Sequence, residues 1–366
     1  MKILHGPYDT CGLAVSCAEY ERKIGLESDA LLFFKNKTGS NSYKKLSNIS
    51  FVINRPGKFY DEFYLFYYKM FRLNKKIFEY DILSFTDGNT FLMQPYFGTF
   101  FNELKRMKDA GKKMVITYQG CEVRDAPFCI KNYDYNACSV CNIPRKYWYA
   151  PRNWTSEKNK KVKLFNKYCD LIFCHNPDLM NTAPNSIFLP YLSVDYRKWL
   201  PSSAVNKNKK TVIGHAPTNR LTKGTRYVED VIRKLKNKRN DFEFVLLENI
   251  PYRYVKEKYK EIDLFIDQLL FGWYGAVAVE LMALGKPVIC YIREDDLKHV
   301  PKKFAEDLPI IKANKDNLLS VIEFYLDNPE KIRALGKISR DFVTEYHDPI
   351  KIAEWLKTHY ERIIDS

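Results

Sequence analysis

What the sequence lacks narrows its class before what it contains. No stretch reaches the roughly 18 uninterrupted apolar residues of a membrane span, and even the long apolar stretch 271–292 carries Glu280 and Lys286. The first ten residues, MKILHGPYDT, hold no secretory apolar core, because His5, Pro7 and Asp9 interrupt them. The expected location is therefore cytoplasmic, with any membrane contact peripheral and from one face. There is no G-x-x-x-x-G-K-[ST] phosphate loop, no zinc-finger or RNA-recognition signature, and no solenoid-like repeat period. Acidic residues are in deficit, 44 against 59 basic, giving +15 overall, which favours phosphate-bearing substrates, nucleic acid or an anionic membrane surface. Because the cations are scattered, and the runs 158–161 and 207–210 read as solvated surface, nucleic acid is not an expected partner. The nine cysteines are an odd number in a chain with no secretory signal, which favours reduced thiols or a metal site over a disulfide framework.

What remains is a globular chain of two-domain length, 366 residues with 46% hydrophobic and 28% charged. Strand-like runs at 2–4, 28–34, 82–85, 113–118 and 171–174 alternate with helical patterns at 13–24, 59–71, 97–110 and 158–168, and 37–50 reads as a polar loop. A second alternating set starts at 211–214 and runs through strands at 242–247, 264–266 and 287–291 with helices at 225–235, 252–259 and 276–284. Helices at 316–325, 329–346 and 349–364 follow. Alternation of this kind implies parallel sheets, so the fold class is α/β with two doubly wound domains. The expected division is a first domain at 1–195 with a cysteine-rich insertion at 121–150, a linker at 196–210, a second domain at 211–345, and 346–366 returning to the first. In doubly wound sheets ligands bind outside the carboxyl ends of the strands, which places the expected site in a cleft between the domains.

Two segments carry candidate chemistry. Ile213 to Thr225 lies between a strand and a helix, where backbone amides face an anion and Arg220 and Lys223 add two cations. Gly214 and His215 open that segment. The loop Gly272-Trp273-Tyr274-Gly275 precedes a helix whose first-turn amides, from Ala276 onward, suit phosphate, and Glu280 is a lone carboxylate among apolar neighbours, able to accept from a vicinal diol such as a ribose. Cys121, Cys129, Cys138 and Cys141 form C-x7-C-x8-C-x2-C, for which a structural zinc, buried free thiols and disulfides all stand open. The six histidines are dispersed and read as packing or loop residues, His215 being the exception because it adjoins the basic loop.

HAPTNRLTKGT, FVLLENIPY and IDLFIDQLLFGWYGAVAVELMALGKPVICYIRE together resemble the donor-binding half of GT-B glycosyltransferases, specifically the large retaining family of bacterial lipopolysaccharide and cell-wall enzymes, the family 4-like "glycosyl transferases group 1". That resemblance implies that Arg220 and Lys223 clamp the donor diphosphate, that Glu280 holds the ribose, that Asn249 and Ile250 lie near the nucleobase, and that Tyr274, Gly275 and Ala276 flank the sugar. The family often has a Glu-x7-Glu pair, and the first position here is Gly272. More weakly, residues 6–12 with Gly12, the Asp87-Gly88 turn, and Thr117 to Arg124 resemble the acceptor half. In the last of these, Gln119 and Glu122 replace the His and Asp of a T-x-H-G-x-D-x-R pattern. The implied function is transfer of a sugar, with retention, from a UDP- or GDP-type nucleotide sugar to a glycan or lipid-linked acceptor in cell envelope glycan biosynthesis. No catalytic cofactor is required, and the lipid-linked acceptor gives the positive charge a use at an anionic membrane surface. A non-catalytic nucleotide- or sugar-binding protein and a nucleotide-sugar epimerase are the alternatives.

Overall fold

The computed structural model describes residues 1–34, 49–53, 64, 68, 72–86, 88–91, 100–142, 156–201 and 210–366. Outside these fall the expected helix at 59–71 except Tyr64 and Tyr68, the expected polar loop at 37–50 except 49 and 50, and Asp87. The backbone divides into two units. The first comprises 1–124, 148–193 and 349–366, and the second 125–147 and 194–348.

The first unit is built on seven parallel strands: β1 Lys2–Gly6, β2 Glu27–Phe34, β3 Ile49–Ile53, β4 Ile82–Thr86, β5 Lys113–Tyr118, β6 Leu171–Cys174 and β7 Ile187–Phe188, in the spatial order β3-β2-β1-β4-β5-β6-β7. Its helices include α1 Leu13–Lys23, α2 Phe100–Asp109 and α4 Ser156–Tyr168, while α3 Ala126–Asn132 belongs to the second unit. The central strands are apolar on both faces, as a sheet covered by helices on both sides requires. The helix Pro349–Ile364, called α11 below, places Ile352, Leu356, Tyr360 and Ile363 on one stripe against Ile3, Leu13, Cys17 and Phe173. Each such side chain contributes about 1.5–3 kcal/mol when fully buried. Beneath that stripe lies Glu21, fully buried, whose carboxylate accepts from Ser28 Oγ at 2.6 Å and Tyr360 Oη at 3.2 Å and meets His5 Nε2 at 2.8 Å. A buried carboxylate is tolerated because these three groups replace its water.

The second unit has five parallel strands, β8 Thr211–His215, β9 Phe242–Leu246, β10 Leu264–Ile266, β11 Val288–Cys290 and β12 Ile311–Lys312, ordered β12-β11-β10-β8-β9. Its helices include α5 Arg220–Lys223, α6 Thr225–Lys236, α7 Tyr252–Lys260, α8 Ala276–Ala283, α9 Leu318–Asp327 and α10 Pro329–Tyr346. Val228, Val231, Ile232 and Leu235, spaced i, i+3, i+4 and i+7 on α6, bury against Ile213, Leu264 and Ile266 of the sheet. Arg197 spans Asp195 at 3.3 Å and Asp348 at 2.7 Å, tying together the places where the chain enters and leaves this unit.

The expected boundaries shift: the second unit takes in the expected linker, running from 194 to 348, and the returning segment begins at 349. Residues 125–147 of the cysteine-rich insertion group with the second unit, not the first. The Arg293 guanidinium stacks on Tyr133 at 3.5 Å, Tyr135 packs edge-on to Tyr291, and its hydroxyl donates to Asp316 at 2.7 Å. Strands β3, β7 and β12 were not expected, and two of them are only two residues long, too short to show an alternating pattern. Among the described residues no helix is long and apolar enough to cross a membrane.

Candidate active site

In the second sheet the strand order reverses between β8 and β10, since the chain goes from β8 to β9 on one side and then to β10 on the other. Ligands of doubly wound sheets bind at such a switch point, where the loops after the two strands part. Here the loop after β8 carries Asn219, whose side chain accepts from the amides of Leu221 and Thr222 at 3.1 Å and so starts α5. Gly224, at φ 81°, ends α5 in the left-handed region and lets α6 begin at once, which fixes Lys223 at the corner. The loop after β10 starts at Asp267 and ends at Gly275, the residue before α8.

These two loops meet. Lys223 Nζ lies 3.1 Å from Asp267 Oδ1, and Asp267 Oδ2 accepts from the Gly275 amide at 2.8 Å. Asp267, whose side chain is 3% exposed, thus joins an ammonium to a helix N-terminus. One turn into α8, Glu280 is buried, and Tyr252 at the start of α7 donates to its Oε1 at 3.0 Å. Burial pushes the Glu280 carboxyl up to about 8, and the Tyr252 hydrogen bond opposes that rise. Both Glu280 and Asp267 also raise the buried Tyr259 phenol, after the larger effect of burial itself. The arrangement offers one cation at the N-terminus of α8 for an anion, and one buried carboxyl for hydroxyl donors.

No protein-family model matches the sequence, and no curated protein matches it. Solved structures do match. Sucrose-phosphate synthase from Thermosynechococcus elongatus is similar with a TM-score of 0.62 at 12% identity, over 99% of this chain and 98% of that one. HepE from Anabaena, in complex with UDP, is similar with a TM-score of 0.62 at 12% identity, over 99% of this chain and all of its own. The chain has the GT-B fold. A putative UDP-N-acetylglucosamine 2-epimerase from Listeria monocytogenes is similar as well, at 13% identity and a TM-score of 0.55, over 99% of this chain and 97% of that one.

Of the residues the sequence singles out in this GT-B chain, Lys223, Gly275, Ala276 and Glu280 occupy the loop ends and the helix just described. Arg220 does not join Lys223. Its guanidinium bonds Glu248 at 2.7 Å and also Glu229, at the exposed side of α5. His215 is not turned to a ligand either. It is fully buried, its Nδ1 meets the Ile266 carbonyl at 2.8 Å and its Nε2 the Thr225 hydroxyl at 2.9 Å, and burial lowers its basicity. It staples β8 to β10 and α6. Gly214 leaves room for Ile262, whose Cδ1 would sit 2.3 Å from an added Cβ. The Tyr274 side chain is buried with its hydroxyl on His347 Nε2 at 3.0 Å, so only its backbone is placed near the helix start. Asn249 and Ile250 do lie in the loop between β9 and α7, Asn249 with φ 56°.

Gly272, where the family often has a carboxylate, has φ 83°, and an added Cβ would lie 2.7 Å from Cζ of Arg293. Arg293 is pinned there by Asp296 at 2.6 Å and by its own amide on the Gly272 carbonyl at 2.9 Å. The departure from the pattern is thus accommodated by an arginine in the space beside the glycine. Asp267 and Arg293 escaped the sequence reading. The first stands directly after a strand, which is the signal that could have found it.

In the first unit, Glu122 Oε1 accepts from the amides of Gln119 and Gly120, and Arg124 forms a buried bidentate pair with Asp178 at 2.7 and 3.1 Å. Glu122 therefore shapes the turn after β5, and the Gln119 Nε2 is buried without a partner. Gly12 has φ 77° just before α1, whose first amides Ala14 and Val15 bond Asp9 at 2.9 and 3.4 Å. Among the described residues, no three of Cys121, Cys129, Cys138 and Cys141, for which a structural zinc was one of three open readings, bring their sulfurs within 4.8 Å of one another. Cys121 belongs to the first unit and the other three to the second, and Cys129 and Cys138 pack with Ala126 in an apolar cluster. Among the described residues, the group of three metal-ligating side chains whose ligand atoms all lie within 4.8 Å is His5, Cys17 and Glu21.

Proposed function

We propose that the chain is a glycosyltransferase that takes its sugar from a nucleoside-diphosphate sugar, with the donor bound by the second unit outside β8 and β10. The observation that carries the reading is the meeting of Lys223 with the N-terminus of α8 at the switch point, with Glu280 one turn along the same helix. The UDP carried by HepE supports a nucleotide donor.

In this reading Lys223 and the first amides of α8 oppose the charge that grows on the diphosphate as the glycosidic bond breaks, which lowers the barrier and not only the binding energy. Asp267 holds the ammonium at the helix terminus. Glu280 accepts from the ribose, the loop 248–251 lies by the base, and Arg220 acts at the rim through Glu248. We extend the proposal to transfer with retention onto a glycan or lipid-linked acceptor, the excess of basic residues serving contact with an anionic membrane surface. A second reading, nucleotide-sugar epimerisation, is favoured by the likeness to the Listeria protein.

The test is a thermal-shift screen with UDP, GDP and ADP, because a ligand that binds only the folded chain raises its melting temperature. Incubation of the matching nucleotide sugars with glycan and lipid-linked acceptors follows. Product formation with the donor's anomeric configuration supports retention, interconversion of nucleotide sugars without acceptor supports the epimerase, and binding without either outcome supports a non-catalytic binder. Co-sedimentation with phosphatidylglycerol vesicles tests the membrane contact.

A further inference from the structure

Glu280 has a partner that ribose binding alone does not explain. Tyr252 opens α7 directly after the loop 248–251, with 42% of the residue exposed, yet its hydroxyl reaches in to Glu280 Oε1 at 3.0 Å. Burial drives the Tyr252 phenol well above its usual range, followed by the nearby Glu280 charge. The other groups around the carboxyl are few. Tyr259 of α7 is buried beside it, Asp267 stands at the end of β10, and from α10, packed on α8, Arg340 bonds the Ala283 carbonyl at the far end of α8.

We propose that Tyr252 is a positioning residue for nucleotide binding: its hydroxyl holds one oxygen of Glu280, leaving the carboxylate oriented to accept from ribose hydroxyls. The proposal rests on the donor reading above. A diol needs an acceptor, and an ionised carboxyl is acceptor-only, whereas a protonated one donates. Burial alone favours the protonated form, and the Tyr252 hydrogen bond favours the ionised one. Glu280 therefore gives up its proton when a ribose binds, Tyr252 makes that ionised form easier to reach than burial alone would allow, and it does so from the helix that begins where the base is expected.

Tyr252→Phe, which keeps the ring, is the test, with Glu280→Gln as the second variant. Calorimetric titration with UDP, ADP and GDP, each beside its 2′,3′-dideoxy analogue, is run from pH 6 to 9.5 in two buffers of different ionisation enthalpy. For the wild type the ribonucleotide binds more tightly than its analogue, releases protons at pH 7 beyond those of the analogue, and gains relative affinity up to about pH 8. Tyr252→Phe loses about tenfold for the ribonucleotide at pH 7, regains most of it at pH 9.5, and leaves the analogue unchanged. Glu280→Gln removes the discrimination and its pH dependence. Equal losses for both ligands, or no loss at pH 7, overturn the role of Tyr252 while leaving the donor reading in place. Failure of the wild type to bind any of the three nucleotides overturns the donor reading and this proposal with it.

Discussion

Replacing Lys223 by Ala removes the cation from the switch point but leaves Asp267 behind. The Asp267 side chain is 3% exposed and that of Lys223 13%, so the pair is largely withdrawn from water. Removing one member of a buried pair strands the other, at a cost of about 3–5 kcal/mol, and here only the Gly275 amide remains to compensate. At about 2–4 °C per kcal/mol for a domain of this size, the melting temperature should fall by roughly 6–20 °C. Turnover at saturating donor should fall by about 100- to 1,000-fold, the usual loss on removing one positioned electrostatic donor. The two effects separate in the Lys223→Ala, Asp267→Asn double variant. Neutralising the stranded carboxylate restores most of the melting temperature but none of the turnover. The assay pairs calorimetric melting with release of the nucleoside diphosphate at saturating donor. If the double variant regains turnover, Lys223 serves only to satisfy Asp267, and the diphosphate clamp is refuted.

Glu280→Gln tests the buried acid. The folded chain holds a proton on Glu280 up to about pH 8, whereas the unfolded chain loses it near pH 4.3. The resulting stability is fully present below the unfolded value and is lost as pH rises through about 8, so the melting-temperature advantage of the Gln variant grows between pH 5 and pH 9. Parallel pH curves would refute the burial argument. Gly272→Glu should lower stability by more than about 1–2 kcal/mol, since it adds a clash with Arg293 to the cost of a left-handed backbone, and it should not tighten donor binding. Gly272→Ala measures the backbone part alone, and equal stability of all three chains in urea would show that Arg293 yields freely. Metal analysis of anaerobically purified protein should find no stoichiometric zinc on Cys121, Cys129, Cys138 and Cys141, all of which should titrate as thiols after denaturation. One zinc per chain, lost on Cys138→Ser, contradicts this.

Both parallel sheets were legible in the sequence because their central strands are apolar runs bounded by glycine or polar turns, as at Lys113–Tyr118 before Gly120. Lys223 and Glu280 stood out for a local reason, one as a cation between a strand and a helix, the other as a charge on an otherwise apolar helix. What could not be read depends on contacts distant in sequence. His215 looks like a loop residue until Ile266 and Thr225 are seen to take both its nitrogens. Arg220 and Lys223 are three residues apart on α5 but reach different carboxylates, and nothing in their spacing says which. The cysteines share a segment, yet among the described residues no three of their sulfurs come within 4.8 Å of one another, so closeness along the sequence does not become a ligand cluster.

The Glu21 carboxylate bonds Tyr360, 339 residues further along the chain. During synthesis on the ribosome, α1 and β1 are therefore made long before the helix that covers them, with the whole of 194–348 translated in between. The first half emerges with an uncovered apolar stripe around Ile3, Leu13 and Cys17 and a buried acid one hydrogen bond short. A nascent chain stalled before Pro349 should accordingly recruit chaperones through its first unit, while the second unit can already complete its own sheet. Order of manufacture and order of folding run opposite in this protein: the half that is made first is finished last.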